Sequence, residues 1–254
     1  MTHNDLKFHA LTVVICATDE ETDLKKTVTA LMNLRGDIGE IVIVRPDWAT
    51  DGCVRTTAEL IGKYPDTVRE IVQARQNLGG AVMDGIDSAR YDHILFMPAD
   101  LAIGLDVLPK MIGLAKQHPG DVIKVSRWIR GGGWNGSPRT HVVLNALGQI
   151  FLQALFCSGI TDHTNAIQIM PTDLCLAINW KANRFSVAEE MVLVPIRLGI
   201  EIREVPAVCY ERMEGKSKNS KKQLAVYLKT ALSLRFTPRK NLMVPGAEVN
   251  CRKK

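Results

Sequence analysis

Apolar positions along the chain follow two alternating patterns. Short apolar runs at Leu11 to Ala17, Glu40 to Val44, Val68 to Ala74, His93 to Met97 and Asp121 to Ser126 have the length and β-branched content of buried strands. Between them, apolar residues recur every three or four positions. That spacing predicts helices over Glu20 to Leu34, Val54 to Lys63, Gly80 to Arg90 and Leu105 to Gln117. Strands that are apolar at successive positions have both faces buried, which implies a mostly parallel sheet with helices on both faces. Right-handed crossovers then give a doubly wound α/β domain. The second half is less regular. Gly131 to Gly136 reads as a flexible loop carrying Trp134, Arg139 to Phe156 as a long apolar helix, and Thr164 to Met170 as a strand. Val187 to Leu198 reads as a helix, Ile202 to Val208 as a strand and Leu224 to Phe236 as an amphipathic stretch. Residues 1–236 are expected to form one domain. Residues 237–254, with two prolines and few apolar anchors, are expected to form a basic and loosely ordered C-terminal tail.

Composition narrows the class. At 254 residues, with 46% hydrophobic and 23% charged residues, the chain suits a soluble domain with a sizeable core. No apolar run reaches the 18 residues that predict a membrane-spanning helix, and the first residues lack the apolar core of a secretion signal. The six cysteines are scattered without C-x-x-C spacing, so a reduced, cytoplasmic compartment is expected. Charge is unevenly distributed. Residues 212–254 hold twelve Lys and Arg against two Glu, a balance of +10, so a chain of net +5 is −5 before residue 212. A basic end on an acidic body points to an anionic partner: lipid head groups, phosphates or nucleic acid. Aromatic residues do not interleave with the basic ones, which counts against nucleic acid.

In open α/β sheets, ligands bind beyond the carboxyl ends of the strands. The residues there are Thr18, Asp19 and Glu20; Asp47, Asp51 and Gly52; Arg75, Asn77, Gly79 and Gly80; Asp100; and Ser126 with Arg127. Acidic groups, Asn, Gly and Arg in these places suit a base, a ribose and a metal-bound diphosphate. The other readings of these residues are local: Asp19 as a helix N-cap, Asp51-Gly52 as a turn, and Asn77 with its glycines as a helix cap. The chain has no G-x-x-x-x-G-K-[ST] loop, no G-x-G-x-x-G after the first strand and no G-x-S-x-G elbow. The segment Arg212-Met-Glu-Gly215-Lys216-Ser217-Lys218 adds anion donors around a glycine.

Taken in order, these motifs resemble those of family 2 glycosyltransferases, in particular the dolichol- and polyprenyl-phosphate mannose and glucose synthases. Val14-Ile-Cys-Ala-Thr-Asp-Glu-Glu21 is similar to V-I-P-A-Y-N-E-E, and Val42 to Gly52 to V-V-D-D-G-S-T-D-G. Asn77-Leu-Gly79-Gly80-Ala81 with Gly85 is similar to N-x-G-x-G-A, Pro98-Ala-Asp100-Leu to D-A-D-L, and Val125-Ser-Arg127 to G-S-R. Asp162 to Gln168 stands where D-x-T-S-G-F-R is usual, Glu190-Met191 where E-M is, and Gly199 to Pro206 resembles G-x-x-I-x-E-V-P. Arg212 with Gly215 to Lys218 resembles R-x-x-G-x-S-K. Pro46, Pro98, Ala102 and Gln168 depart from the pattern.

The resemblance implies a GT-A-type, Rossmann-like fold and an inverting transfer of sugar from a nucleotide-sugar donor to a polyprenyl phosphate or related glycan acceptor. It implies Thr18, Asp19, Glu20, Asp47, Asp51, Asn77, Gly79 and Arg127 as nucleotide-binding residues. It implies Asp100, Glu190, Arg212, Lys216 and Lys218 as catalytic residues, with Asp100 as the ligand of Mg²⁺ or Mn²⁺. With Pro98 in the first aspartate's place, that ion would be held weakly. A hydroxyl acceptor would need a carboxylate base, Glu190 first and Asp162 second, whereas a phosphate acceptor is already a nucleophile. The same departures leave open a catalytically weakened sugar-nucleotide-binding protein. Leu224, Tyr227, Leu228, Ala231 and Leu232, flanked by Lys221, Lys222, Lys229 and Arg235, further predict peripheral attachment to an anionic membrane surface.

Overall fold

The computed structural model describes residues 6–182, 184–210 and 221–247, the first four residues of the last stretch by backbone alone. Its central sheet has seven strands: β1 Leu11–Cys16, β2 Ile38–Arg45, β3 Val68–Val72, β4 His93–Phe96, β5 Val122–Ser126, β7 Gln168–Pro171 and β8 Ile202–Pro206. They lie in the order β3-β2-β1-β4-β7-β5-β8. Every pairing is parallel except those of β7, which runs antiparallel to both β4 and β5. Successive strand residues feed opposite faces. Leu11, Val13 and Ile15 join one core with helices α1 Thr22–Leu31, α2 Asp51–Lys63 and α4 Leu108–Gln117. Val14, Val42 and Ile94 join the other with α3 Asn77–Ser88, α5 Arg139–Phe156, α6 Thr172–Ala177, α7 Val187–Leu198 and α8 Lys221–Phe236.

The differences from the expected elements have local causes. Helix α2 starts at Asp51, three residues early, because the Thr50 hydroxyl accepts from the Cys53 amide and caps it. Helix α1 starts two residues late, because the Glu20 carboxylate folds back onto the Thr18 and Asp19 amides. The strand expected over Thr164 to Met170 is confined to β7, since residues 162–165 wrap a buried arginine. Ile202 to Val208 is two strands: at Ala207 the chain leaves the main sheet, and β9 Val208–Tyr210 pairs in parallel with β6 Gly133–Asn135. The segment expected as a flexible loop around Trp134 is therefore a strand. Beyond α8, residues 239–242 form a turn of 3₁₀ helix. Leu242 is buried there, and the Arg239 guanidinium donates to the Leu198 carbonyl.

Candidate active site

Three loops at the carboxyl edge converge on the end of β1. The Thr50 amide donates to the Thr18 carbonyl at 3.0 Å, which joins the β1–α1 and β2–α2 loops. The Glu21 carboxylate lies over Gly52, the second residue of α2, so closely that a Cβ there would sit within 2 Å of it and would push that side chain aside. The β3–α3 turn is held by Asp84, which accepts from the Ala74 and Arg75 amides and pairs with the Arg75 guanidinium at 2.6 Å. Asn77 takes the left-handed conformation (φ 63°), which asparagine tolerates better than most residues. Burial pushes the Cys16 thiol up to about 12, and the Glu20 and Asp84 carboxylates push it the same way, so both loops face this strand end. The structure thus gathers Thr18, Asp19 and Glu20 around the start of α2. Asp47 and Asp51 are exposed beside them, Asn77 is exposed at its own turn and Gly79 is buried beneath it. Trp48, next to Asp47, is 70% exposed.

The other half of the edge carries the residues expected to meet the diphosphate and acceptor. Asp100 follows β4, and one of its carboxylate oxygens accepts from the Ala102 amide at 3.2 Å. Leu101 between them is left-handed (φ 48°). The Ala102 carbonyl takes the Tyr210 amide at 2.7 Å, so the Asp100 loop is stitched to β9. Cys209 lies within electrostatic reach of Asp100, Arg127 and Asp162, so the four share one region; burial raises its thiol pKa.

Arg127 is committed inward. Its guanidinium donates twice to Asp162 at 2.7 Å and once to Thr164 at 2.9 Å, and it lies 4.3 Å from the Trp134 ring centre. A direct contact with nucleotide, as expected from the sequence, would have to compete with these bonds. Asp162 is desolvated, yet Arg127 and Lys124 hold its carboxyl well below the usual range. Buried Lys124 donates to the Asp162 and Val125 carbonyls, and burial lowers its pKa. Glu204 on β8 accepts from the Thr161 and Asp162 amides and fixes the segment that presents Asp162.

Glu190 lies in the first turn of α7. Its carboxylate accepts from the Lys181 amide at 2.9 Å and the Ala182 amide at 2.7 Å, and burial raises its pKa. Its neighbour Glu189 is raised to about 9 by burial and by the Glu190 charge, and Glu189 Oε2 has no hydrogen-bond partner among the described residues. Arg212, Lys216 and Lys218 lie outside the described residues. The chain enters their segment from Tyr210, beside the Asp100 loop.

Among the described residues, no three His, Cys, Asp or Glu side chains converge on a metal position. The donor set at the β4 end is one carboxylate, Asp100. It fits a divalent cation shared with a bound diphosphate and not one caged by protein alone. Sequence reasoning did not single out Lys124, Thr161, Glu204 or Cys209, and it marked Trp134 without a partner, where the structure sets it against Arg127. A lysine inside the apolar run Val122 to Ser126 was a usable signal, because a buried charge needs partners. Arg127's partnership with Trp134 depends on the β6–β9 pairing and left no local trace.

The family model of glycosyl transferase family 2 matches residues 12–175. Dolichol-phosphate mannosyltransferase of Pyrococcus furiosus is 27% identical over 232 residues, covering 86% of this chain and 62% of that protein. The low-salt glycan biosynthesis hexosyltransferase Agl6 of Haloferax volcanii is 24% identical over 214 residues, covering 82% and 49%. The chain thus spans about half to three-fifths of the curated relatives it matches. Among solved structures, glucosyl-3-phosphoglycerate synthase from Mycobacterium tuberculosis, in complex with Mn²⁺, UDP-glucose and phosphoglyceric acid, superposes with a TM-score of 0.68. It has 16% identity and covers 91% of this chain and 81% of that one. The same enzyme with Mg²⁺ and UDP gives 0.64 at 17% identity, covering 89% and 78%. The fold is the GT-A fold of these enzymes.

Proposed function

The chain belongs to glycosyl transferase family 2, and from that premise we propose that it moves a hexose, with inversion, from a nucleotide-sugar donor to an acceptor that is already an anion, a polyprenyl phosphate or a related phosphate-bearing glycan carrier. The observation that carries this reading is the state of the two base candidates. Glu190 has its carboxylate turned onto two backbone amides, and Asp162 is locked to Arg127 and held at a pKa too low for a useful base. A hydroxyl acceptor must lose a proton as it attacks, whereas a phosphate oxygen need not. The names of the relatives from Pyrococcus furiosus and Haloferax volcanii agree with a lipid-linked or glycan product.

In this reading Thr18, Asp19, Glu20, Asp47, Asp51, Asn77 and Gly79 line the base and ribose, and Arg127 supports the site through Asp162 and Trp134. Asp100 would hold Mg²⁺ or Mn²⁺ together with the donor diphosphate, the ion supplying charge neutralisation on the leaving group. Arg212, Lys216 and Lys218 would meet the charge that develops there. A second reading, a sugar-nucleotide-binding protein with weakened catalysis, is favoured by the single carboxylate of the metal position.

Thermal shifts against GDP-, UDP- and dTDP-sugars with and without Mn²⁺ identify the donor, since a ligand of the native state raises apparent stability. Transfer is then measured to a short-chain polyprenyl phosphate and to the matching polyprenol. Turnover with the phosphate and none with the alcohol is expected. Preference for the alcohol would overturn the anionic acceptor, and donor binding without turnover on any acceptor would favour the binding protein.

A further inference from the structure

Strand β5 carries a lysine where its pattern calls for an apolar residue. Val122 and Lys124 point to the same face of the sheet, because side chains alternate along a strand. Val122, with Ile94 of β4, Met170 of β7 and Ile202 of β8, belongs to the core under α5 and α7. Two residues along from each stands one member of a row that crosses four strands in register: Phe96, Gln168, Lys124 and Glu204. Lys124 is fully buried in this row, and its ammonium donates to the Val125 and Asp162 carbonyls.

A buried charge is costly unless opposite charge and hydrogen bonds meet it. The charged groups that face the Lys124 ammonium are the carboxylates of Asp162 and Glu204 and the guanidinium of Arg127. Burial lowers the lysine's pKa, and the two carboxylates oppose that. His163 is also in reach, but burial and the Lys124 charge push it down to about 4, so it adds no charge near neutral pH. Two carboxylates thus stand against two cations. Asp162, Glu204 and Arg127 all match the family pattern described above, whereas its second cation, an arginine at 168, is replaced by glutamine. Gln168 is fully buried, and neither of its side-chain polar atoms has a partner among the described residues. It brings the row neither charge nor hydrogen bond. Lys124, directly opposite it, brings both.

The row also sets the loop that follows α5. Glu204 accepts from the Thr161 and Asp162 amides, and Lys124 donates to the Asp162 carbonyl. The backbone at Asp162 is therefore gripped by two neighbouring members of the row. Its carboxylate then accepts twice from Arg127, which lies against Trp134.

We propose that Lys124 is a positioning residue of the transfer site: its ammonium supplies from β5 the buried cation that the family pattern puts opposite it on β7, and through the Asp162 carbonyl it aims the carboxylate that holds Arg127. The cation has crossed one strand and the charge balance is kept. Residues directly opposite on neighbouring strands have Cβ atoms about 4.5–5.5 Å apart, so a long cationic side chain from either position reaches the same carboxylates. The positioning role rests on the reading of this edge as a transfer site, while the charge balance beneath it does not.

The test compares the parent with Lys124→Met, Lys124→Gln, Gln168→Arg and the double variant Lys124→Met/Gln168→Arg. Thermal unfolding is measured first, then transfer to a short-chain polyprenyl phosphate well below each melting temperature. Lys124→Met should lower the melting temperature by roughly 10 °C, because it leaves one cation for two carboxylates. It should lower kcat at least about tenfold with the donor KM within about threefold, the mark of a group that acts on the transition state. Gln168→Arg alone adds a third cation and should also lower both. The double variant should return to within about threefold of the parent's kcat, a coupling that independent sites do not show. Losses that simply add in the double variant would overturn the proposal. So would parent-like behaviour of Lys124→Gln, which keeps a donor for the carbonyls without the charge. A parent-like kcat in Lys124→Met would leave only a stabilising residue and overturn the positioning role. If Lys124→Met yields no folded protein, a folded double variant upholds the proposal and an unfolded one overturns it. Rescue of unfolding with no transfer by any protein, the parent included, would overturn the proposed function and leave the charge balance standing. Transfer by the parent without rescue would do the reverse.

Discussion

Replacing Arg127 with methionine tests whether the site rests on the buried pair beneath it. The arginine side chain is 10% exposed and Asp162 fully buried, so the substitution leaves a carboxylate that water cannot reach. Two hydrogen bonds of 2.7 Å, a third to Thr164 and the stacking on Trp134 disappear together. Removing one partner of a buried ion pair costs about 3–5 kcal/mol. The amides of Arg127 and Thr164 still donate to Asp162, and Lys124 remains close, so the lower end, about 3 kcal/mol, applies. For a chain of this size that lowers the melting temperature by roughly 10 °C.

The loss must also depend on pH. In the native protein the Asp162 carboxyl is held below its ordinary value of 3.8, so the pair's contribution is complete above that value and fades only as pH falls through the lower, folded-state value. In the variant the carboxyl is desolvated without its main partner, and its pKa rises. The variant therefore loses stability between mildly acidic and neutral pH, and its deficit against the parent narrows in acid. Urea unfolding followed by fluorescence at pH 5 and pH 7.5 reads both effects. The D162N background should remove most of the R127M cost. A deficit below about 1 kcal/mol at neutral pH, one that is equal at both pH values, or one that simply adds to that of D162N would refute the argument.

Four further outcomes are expected. Asp100→Ala should abolish transfer while urea unfolding stays within about 0.5 kcal/mol of the parent, and near-normal turnover would remove Asp100 from catalysis. Glu190→Gln should change turnover less than tenfold, because the residue serves the Lys181 and Ala182 amides, whereas loss of a general base would cost about 10²–10⁴. Glu189, pushed from 4.5 to about 9, favours the protonated native state. It contributes fully below its unfolded value and costs stability progressively as pH rises between the two. Glu189→Gln should therefore flatten the fall in stability from pH 5 to pH 9, and an unchanged slope in urea titrations would contradict it. Arg212→Ala and Lys218→Ala should lower kcat more than they raise KM in steady-state assays, as expected of charges felt mainly in the transition state; an effect on KM alone would make them docking groups.

The elements that bury both faces of the sheet were legible in the sequence, because strand and helix periods differ and each apolar run had one use. Helices Arg139–Phe156 and Val187–Leu198 were placed to the residue for the same reason. Boundaries set by a few local hydrogen bonds were not legible: the Thr50 cap on Cys53, the Glu20 fold-back onto the Thr18 and Asp19 amides, and the switch of sheet at Ala207, whose backbone bonds to both Ser126 and Gly133. Trp134 looked like a loop residue because its strand has only three residues and its partner lies more than 70 positions away. Asp19, Asp51 and Asn77 each carried a local reading beside the nucleotide one. The structure sharpens two of these: Asp51 is the first residue of α2, and Asn77 is left-handed at the start of α3. The local roles and the nucleotide roles are compatible, since a helix start offers both a cap and an anion-facing edge.

The departures from the family pattern make sense together as an adjustment of charge. Pro46 and Pro98 remove two carboxylates from the edge where a diphosphate would lie, and Gln168 replaces a cation in the strand beneath. Gln168 is fully buried with neither side-chain polar atom paired among the described residues, directly opposite Lys124 in the β5–β7 register. A carboxylate about 5 Å from a phosphate repels it by roughly 3 kcal/mol at an effective dielectric of 20. Losing one weakens the hold on a divalent cation by about twice that at the same distance, since the ion carries two charges, and it would also let two anions, a donor diphosphate and an acceptor phosphate, approach each other with less opposition. Under the proposed function Arg212, Lys216 and Lys218 would supply the compensating charge, and the strand that precedes their segment is pinned to Ala102 beside Asp100. In this balance the cation and the basic segment share one task. The activity lost on lowering Mn²⁺ should then be steeper in Lys218→Ala than in the parent. Identical metal curves for the two proteins would show that the segment acts on something other than the leaving diphosphate.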